Sequence, residues 1–337
     1  MKESFNNFLL LIFSLGALLL LLEGVLYFIR FDDLSVPSFL TCSLKSYKQG
    51  GIPAYYPNQE CFQCYHRNDS GRYFDIRVIA DERLFDCVRY YIGSHGFRTP
   101  SFNKEKEGPR IVAIGDSFTF GEGVKEEDTF PRLIQQETGI ETINIAMQGL
   151  NTRFERLVLK KNINLHPDLI VLGYVLNDTM PHEETLRIVD DTEGVLNVPW
   201  PLSLSRVGSY IYTRISSSLQ TKKTLESYHY WFKKGWYESQ KELLAIKQLC
   251  DKEGSKLIVL LFPILHKTDG HYPLSELHKE VLRFASENDI QLIDLLEVYQ
   301  KHRASDLWVH RLDHHPNALA HKIASTEICR WIRDNPL

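Results

Sequence analysis

From Arg110 onward, short apolar runs alternate with segments of helical periodicity. "RIVAIG" is followed by "FPRLIQQETG", and "TINIAM" by "RFERLVLKKNI". "DLIVLGYVL" leads into a long interruption, after which the helix "QKELLAIKQLCDKEG" precedes "KLIVLLFPI". The helix "LSELHKEVLRFASEND" then precedes "IQLIDLL", and a last helix is expected from Pro316 to Trp331. Strands that are apolar nearly throughout are buried on both faces, so five of them with intervening helices predict one parallel sheet covered on both sides. Reactive groups in such sheets gather at the carboxyl ends of the strands.

Two stretches break the alternation. Residues 179–235 separate the third strand from the next clear helix and contain "VPWPLSLSRVGSYIYTRISSSL" and "YHYWFKKGW". Connections this long are uncommon without a role, which predicts an aromatic, partly helical cap beside the pocket. A peripheral hairpin over exposed sheet is the plainer alternative. Residues 31–108 carry short alternating runs such as "RYFDIRVIA" and read as irregular or β-rich.

Residues 8–29 are largely apolar and carry no charge except Glu23. As a helix these 22 residues would span about 33 Å, enough for a bilayer core. Glu23 falls near the far end, where a carboxyl group can reach the interface. The segment reads as an uncleaved transmembrane signal anchor; a cleaved signal peptide and a buried core helix are the rivals. Flanking charge barely sets the orientation, with Lys2 before the run and Arg30, Asp32 and Asp33 after it. Cysteines add to the picture. Cys42, Cys61, Cys64 and Cys87 cluster just after the run, as a disulfide set in an oxidising compartment would. Half a zinc site or a redox pair at Cys61 and Cys64 are the alternatives. Cys250 and Cys329 read as lone buried thiols in helices. The expected organisation is an anchor at 8–29, a cysteine-containing extension at 31–108, and an α/β domain at 109–335 with a cap insertion at 179–235, lying outside the cytoplasmic membrane as a single-pass protein.

Composition changes little: 43% hydrophobic and 24% charged residues suit a globular body. A net charge of -4 without a long basic run excludes general affinity for nucleic acid.

The candidate chemistry sits at the predicted strand ends. "RIVAIGDSFTFGEGV" puts Ser117 just past the first strand, where a nucleophile would be exposed. A serine alcohol needs a base within hydrogen-bond reach. Thirteen histidines make any one of them uninformative, but "LDHHPNALAHKI" is more specific. Pro316 suits the first turn of the last helix, which would put His315 at or near its N-cap. Asp313, two residues earlier, could fold back to hold the imidazole. His314 is the alternative base. An oxyanion site needs fixed donors: the Ser117 N–H, the Gly149 N–H after the second strand, and the Asn177 amide after the third. Taken singly, Gly149 could be a plain turn, and Asn177 with Asp178 an Asx turn.

Together these residues resemble the SGNH/GDSL hydrolase superfamily. "GDSFTFG", Gly149, Asn177-Asp178 and "DHHPN" are similar to its four ordered blocks, from about Arg110 to Trp331. "IGSHGFRTPSF" and the apolar N-terminus are similar to membrane-anchored bacterial members. The resemblance implies a three-layer, flavodoxin-like α/β/α fold with a five-stranded parallel sheet. It also implies Ser117 as nucleophile, His315 as base, Asp313 as orienting acid, and Ser117, Gly149 and Asn177 as the oxyanion hole. Two positions depart from the pattern. Val175 stands where the third block usually has glycine, with Gly173 nearby, and Leu312 stands where the acid is usual.

The function implied is an ester hydrolase working through an acyl-serine, without cofactor or metal, on envelope polysaccharide or lipid esters. Transfer of the acyl group to a sugar hydroxyl would make it an O-acyltransferase, with a membrane acyltransferase as a partner. The other classes are a non-catalytic glycan-binding protein of the same fold and a disulfide-exchange protein using Cys61 and Cys64.

Overall fold

The structure, a computed structural model, describes residues 39–40, 44–45, 54–55, 57–66, 85–103, 105–185, 206–310 and 313–337, with helical positions at 14, 16–18, 20–22 and 24. The chain divides into two units. The larger gathers Phe39–Cys64, Cys87–Thr192 and Thr224–Leu337; the other gathers Met1–Ser38, Tyr65–Asp86 and Glu193–Lys223, whose described part is chiefly helical. Among the described residues no helix is long and apolar enough to cross a membrane, and most of the expected anchor lies outside them. Cys42 and the side chains of Cys61, Cys64 and Cys87 also lie outside the described residues, and the expected disulfides with them. Cys250 and Cys329 are buried free thiols, and burial pushes each up to about 12.

The segment ahead of the domain is β-structure. Strands β1 (Phe39–Leu40), β4 (Gln59–His66) and β5 (Phe85–Ile92) form one small sheet in the order β1-β4-β5, and β2 (Leu44–Lys45) pairs with β3 (Ala54–Tyr55). Tyr55, Tyr90 and Ile92 from these strands are buried in the same core as the main domain, so the segment contributes to that core.

The central sheet holds β6 (Arg110–Gly115), β7 (Glu141–Asn144), β8 (Leu169–Tyr174), β9 (Lys256–Leu261) and β10 (Gln291–Asp294). Its order is β10-β9-β8-β6-β7 and every pairing is parallel. All residues of β6 and β8 are buried, as the unbroken apolar runs require. The path steps from β6 out to β7, returns across β6 to β8, and continues to β9 and β10. With right-handed crossovers this reversal puts helix α2 (Phe130–Thr138) on one face and α3 (Thr152–Lys161) on the other. The carboxyl ends of β6 and β8 flank the crevice where the order reverses, the place such sheets reserve for ligands.

The last helices complete the layers. The turn that carries Ser117 is a short helix, α1 (Ser117–Phe120). Helix α4 runs unbroken from Arg206 to Glu253, α5 covers Ser275–Glu287, α6 Leu296–Tyr299 and α7 Ala318–Asp334. The cap expected to end at 235 therefore shares one helix with the segment that leads into β9. Gly235 does not break it, because the position serves close packing: a Cβ there would lie 1.9 Å from the Thr179 carbonyl oxygen. Further along the same helix, Ser239 hydrogen-bonds Thr152 and Tyr174 at 2.8 Å each, and Glu242 pairs with Arg156. Part of the aromatic set of α4 packs inward, while Tyr230 and Tyr237 are exposed. Phe232 stacks on Trp236, Trp236 meets Phe284 of α5 edge-on, and Trp231 donates to Glu184 at 2.7 Å.

One contact sets the depth of the crevice. Gly115 and Gly173 are register partners on β6 and β8, and Thr119 of α1 rests on both. A Cβ at Gly173 would come 2.0 Å from the Thr119 hydroxyl oxygen, and one at Gly115 2.3 Å. Close packing on the sheet therefore requires glycine at 173, while Val175 is buried and extended. Gly173→Ala should cost about 1–3 kcal/mol by overpacking. Chemical denaturation of the purified protein measures it, and an unchanged midpoint would mean that Thr119 moves aside freely.

Candidate active site

Ser117 opens α1 directly after β6. Asp116 caps this turn, its Oδ1 accepting from the Phe118 N–H at 2.9 Å. The Asp116 carboxylate is fully buried, and its Oδ2 accepts from Asn177 Nδ2 at 2.7 Å and faces the Ser117 hydroxyl at 3.4 Å. Burial raises its pKa, against the donors from Asn177 and Phe118. Asn177 stands in a single turn after β8 that is closed by Asp178, whose Oδ2 accepts from the Val175 N–H at 2.6 Å. Ser117 and Asn177, from neighbouring strands, are thus joined through one side chain.

Gly149 lies beyond β7, whose pairing with β6 continues as Ile145 N to Ala113 O at 2.9 Å and Met147 N to Gly115 O at 3.2 Å. These bonds carry the turn to the Gly115 end of β6. Gly149 has φ 70°, a left-handed conformation that glycine adopts without a steric penalty. Asn151 then caps α3, accepting from Phe154 N at 3.1 Å and donating to Met180 O at 2.9 Å.

The histidine arrives on a strand and not at a helix cap. Strands β11 (Trp308–His310) and β12 (Asp313–Pro316) form a hairpin in which Pro316 opposes Trp308. The last helix starts later than expected, at Ala318, capped by Asn317 accepting from Ala320 N at 3.1 Å. Asparagine is the stronger cap, and a residue before proline prefers extended backbone, which keeps His315 in the strand. Alternation then puts Asp313 and His315 on one face and His314 on the other. Asp313 Oδ1 accepts from the His315 backbone N–H at 3.1 Å and lies 2.5 Å from Nδ1, and Nε2 lies 2.9 Å from Ser117 Oγ. His314 turns away, stacked on Trp308 with ring centroids 3.9 Å apart and its Nδ1 2.7 Å from His266 Nδ1. Leu312 lies outside the described residues.

Charge around His315 is negative. Burial alone would lower its pKa, but Asp313, Glu122 and Asp116 outweigh this and raise it to about 10. His321, behind the site, is held down to about 3 by burial, by Arg98 and by His315. Glu155 and Asp178 are also buried carboxyls whose pKa values are driven well up, Glu155 by burial and Asp116, Asp178 by burial, Glu155 and Asp116. Tyr228 of α4 is close enough to feel the Asp116 and Asp178 carboxylates.

Hydroxyl, imidazole and carboxylate lie in one chain of contacts, an arrangement able to activate an alcohol for acyl transfer. The profile of the GDSL-like lipase/acylhydrolase family matches residues 113–323, more than half of the chain. The chain belongs to this family. No curated protein matches it significantly. Similar solved structures include the psychrotrophic esterase from Pseudoalteromonas sp. (15% identity, 67% of this chain, 98% of that one, TM-score 0.42). They also include a lipase/acylhydrolase from Enterococcus faecalis (16%, 67%, 96%, 0.41) and a catalytic mutant of an acetylxylan esterase from Geobacillus stearothermophilus (16%, 68%, 96%, 0.40). Likeness at this distance says nothing about the substrate of this GDSL-family enzyme.

Asp116, Glu122, Thr119 and Ser239 were not among the residues the sequence singled out for the site. Asp116 had a visible signal, an acid directly before the candidate nucleophile. The others are placed by tertiary packing, which single-chain spacing does not reveal. Asn177→Ala should lower kcat about 100- to 1,000-fold with little change in KM, as loss of one oxyanion donor does. A matching loss of folded protein with normal specific activity would make Asn177 a structural residue instead.

Proposed function

We propose that the protein is a serine ester hydrolase that works through an acyl-Ser117 intermediate. The observation that carries this reading is the continuous contact from Ser117 Oγ to His315 Nε2 and from His315 Nδ1 to Asp313. His315 takes the Ser117 proton as Oγ adds to the ester carbonyl carbon. The Ser117 and Gly149 N–H groups and the second N–H of the Asn177 amide donate to the developing oxyanion, while the first N–H of that amide stays on Asp116. Collapse of the intermediate breaks the bond to the alcohol, which leaves with the proton held by His315. Water then loses a proton to His315 and attacks the acyl-serine. The acid departs, and the proton returns to Ser117.

Envelope polysaccharide or lipid esters are the substrate class we assign, with the enzyme tethered outside the cytoplasmic membrane. The support is the 22-residue apolar run at 8–29 and the cysteine cluster that follows it. A fluorophosphonate probe tests the chemistry. It should label the wild-type protein and leave Ser117→Ala unlabelled, with ester turnover abolished and thermal unfolding unchanged. Equal labelling of the variant would overturn the assignment. His315→Ala should lose about 100- to 10,000-fold in turnover, and His314→Ala far less.

A further inference from the structure

The loop after the nucleophile helix brings a second carboxylate to the histidine. The Glu122 N–H donates to Ser117 O at 3.1 Å, and Glu122 Oε2 lies 3.7 Å from His315 Nε2. Asp313 is on the other ring nitrogen, so His315 is flanked by acids at both ends, and neither carboxylate is more than 17% exposed.

This loop is held from below by residues ahead of the family-matched segment. The Gly123 N–H donates to the Tyr90 hydroxyl at 2.6 Å, and Arg98 Nη2 donates to Val124 O at 2.8 Å. The Arg98 guanidinium lies 4.2 Å from the Tyr90 ring centroid and 5.0 Å from that of Phe120. Arg98 is fully buried, and its Nε and Nη1 have no hydrogen-bond partner among the described residues. Burial of this cation is costly and lowers its pKa to about 10, against the attraction of Glu126 and Glu127, and the aromatic faces compensate only in part. Plain packing would be served by an apolar residue. The cation and the phenol instead fix the two backbone groups that follow Glu122.

We propose that Glu122 acts on the catalytic histidine as a second carboxylate, and that Arg98 and Tyr90 are the positioning residues that keep it there. This rests on reading Ser117 and His315 as nucleophile and base. When Nε2 takes the serine proton, the new N–H and the positive charge face Glu122, which stabilises the ion pair formed on the way to the acyl-serine. The groups facing His315 are Asp313 from β12, Glu122 from the loop, Asp116 from the end of β6 and His321 from α7. His321 is kept uncharged at neutral pH by burial and by Arg98 and His315, so the net field at His315 is negative.

The sign follows. A histidine held up by anions is a free base only at raised pH, so the acidic limb of kcat/KM should lie above the ordinary histidine range. The full-length enzyme with p-nitrophenyl acetate reads this. Glu122→Gln should move the limb down by about one pH unit and lower the high-pH plateau of kcat about tenfold, the rate equivalent of one unit. Tyr90→Phe keeps the ring and should move the limb the same way by a smaller amount at constant KM. The double variant should shift no further than Glu122→Gln alone, because both changes act through one contact. Arg98→Lys, which keeps the charge, should stay nearer the wild type than Arg98→Met. An unmoved limb in Glu122→Gln would overturn the role of Glu122, and additive shifts would overturn that of Tyr90. Turnover that survives Ser117→Ala would instead overturn the underlying reading, so the two failures are distinguishable.

Discussion

The buried carboxylate of Asp116 is the group on which the site depends. It caps the turn that carries Ser117, receives the amide of Asn177 from the next strand, and faces the serine hydroxyl. Each bond answers a separate need. The cap satisfies a backbone donor at the start of α1, and the amide bond fixes which way Asn177 points. An unpaired buried carboxylate would be expensive, so these donors are also what allows Asp116 to be there at all. Removing either donor would leave one oxygen of the buried carboxylate short of a partner. Reach and rigidity therefore come from the same interaction.

That interaction needs β6 and β8 to end together. Gly115 opposite Gly173 leaves room for Thr119 to lie on the sheet, which brings α1 low enough for its first residue to face Asn177's turn. Helix α4 presses on that turn from the outside through Gly235, and Ser239 links it to Thr152 and Tyr174. Thr152 in turn donates to the Asp178 carbonyl at 3.0 Å. The two donors assigned to β6 and β8 thus sit on a surface packed from both sides, while the histidine comes separately on the β11–β12 hairpin. Trp308 pins that hairpin by donating to Leu265 O at 2.6 Å.

The parallel sheet was legible because burial on both faces leaves an unbroken apolar run, a signal that local context does not blur. Ser117, Asp313 and His315 were legible as residue types at strand ends. Their backbone setting was not. Proline after His315 suggested a helix start, yet Asn317 makes the better cap and leaves Pro316 to the strand. The outcome for the side chains is nearly the same, since residues two apart share a face of a strand as readily as they meet in a turn. The choice between His314 and His315 needed that face. Glu122 and Arg98 carried no signal, because their meaning lies in contacts between segments far apart in sequence.

The family profile begins at residue 113, but the physical site begins earlier. Tyr90 and Arg98 touch the loop that follows the Ser117 helix, Tyr55 packs on Phe120 at 5.6 Å, and the Thr99 hydroxyl accepts from the Asn144 N–H at 2.7 Å. Asn144 itself donates through its side chain to Thr119 O at 2.9 Å, within the turn that carries Ser117. Gly96, at φ 77°, lets this segment pass within 2.8 Å, measured from its would-be Cβ, of the Tyr55 carbonyl oxygen. Such contacts are too closely fitted for the segment to serve as a mere spacer. The β-rich segment and the α/β domain share one core, so the loop that faces His315 takes its shape from both.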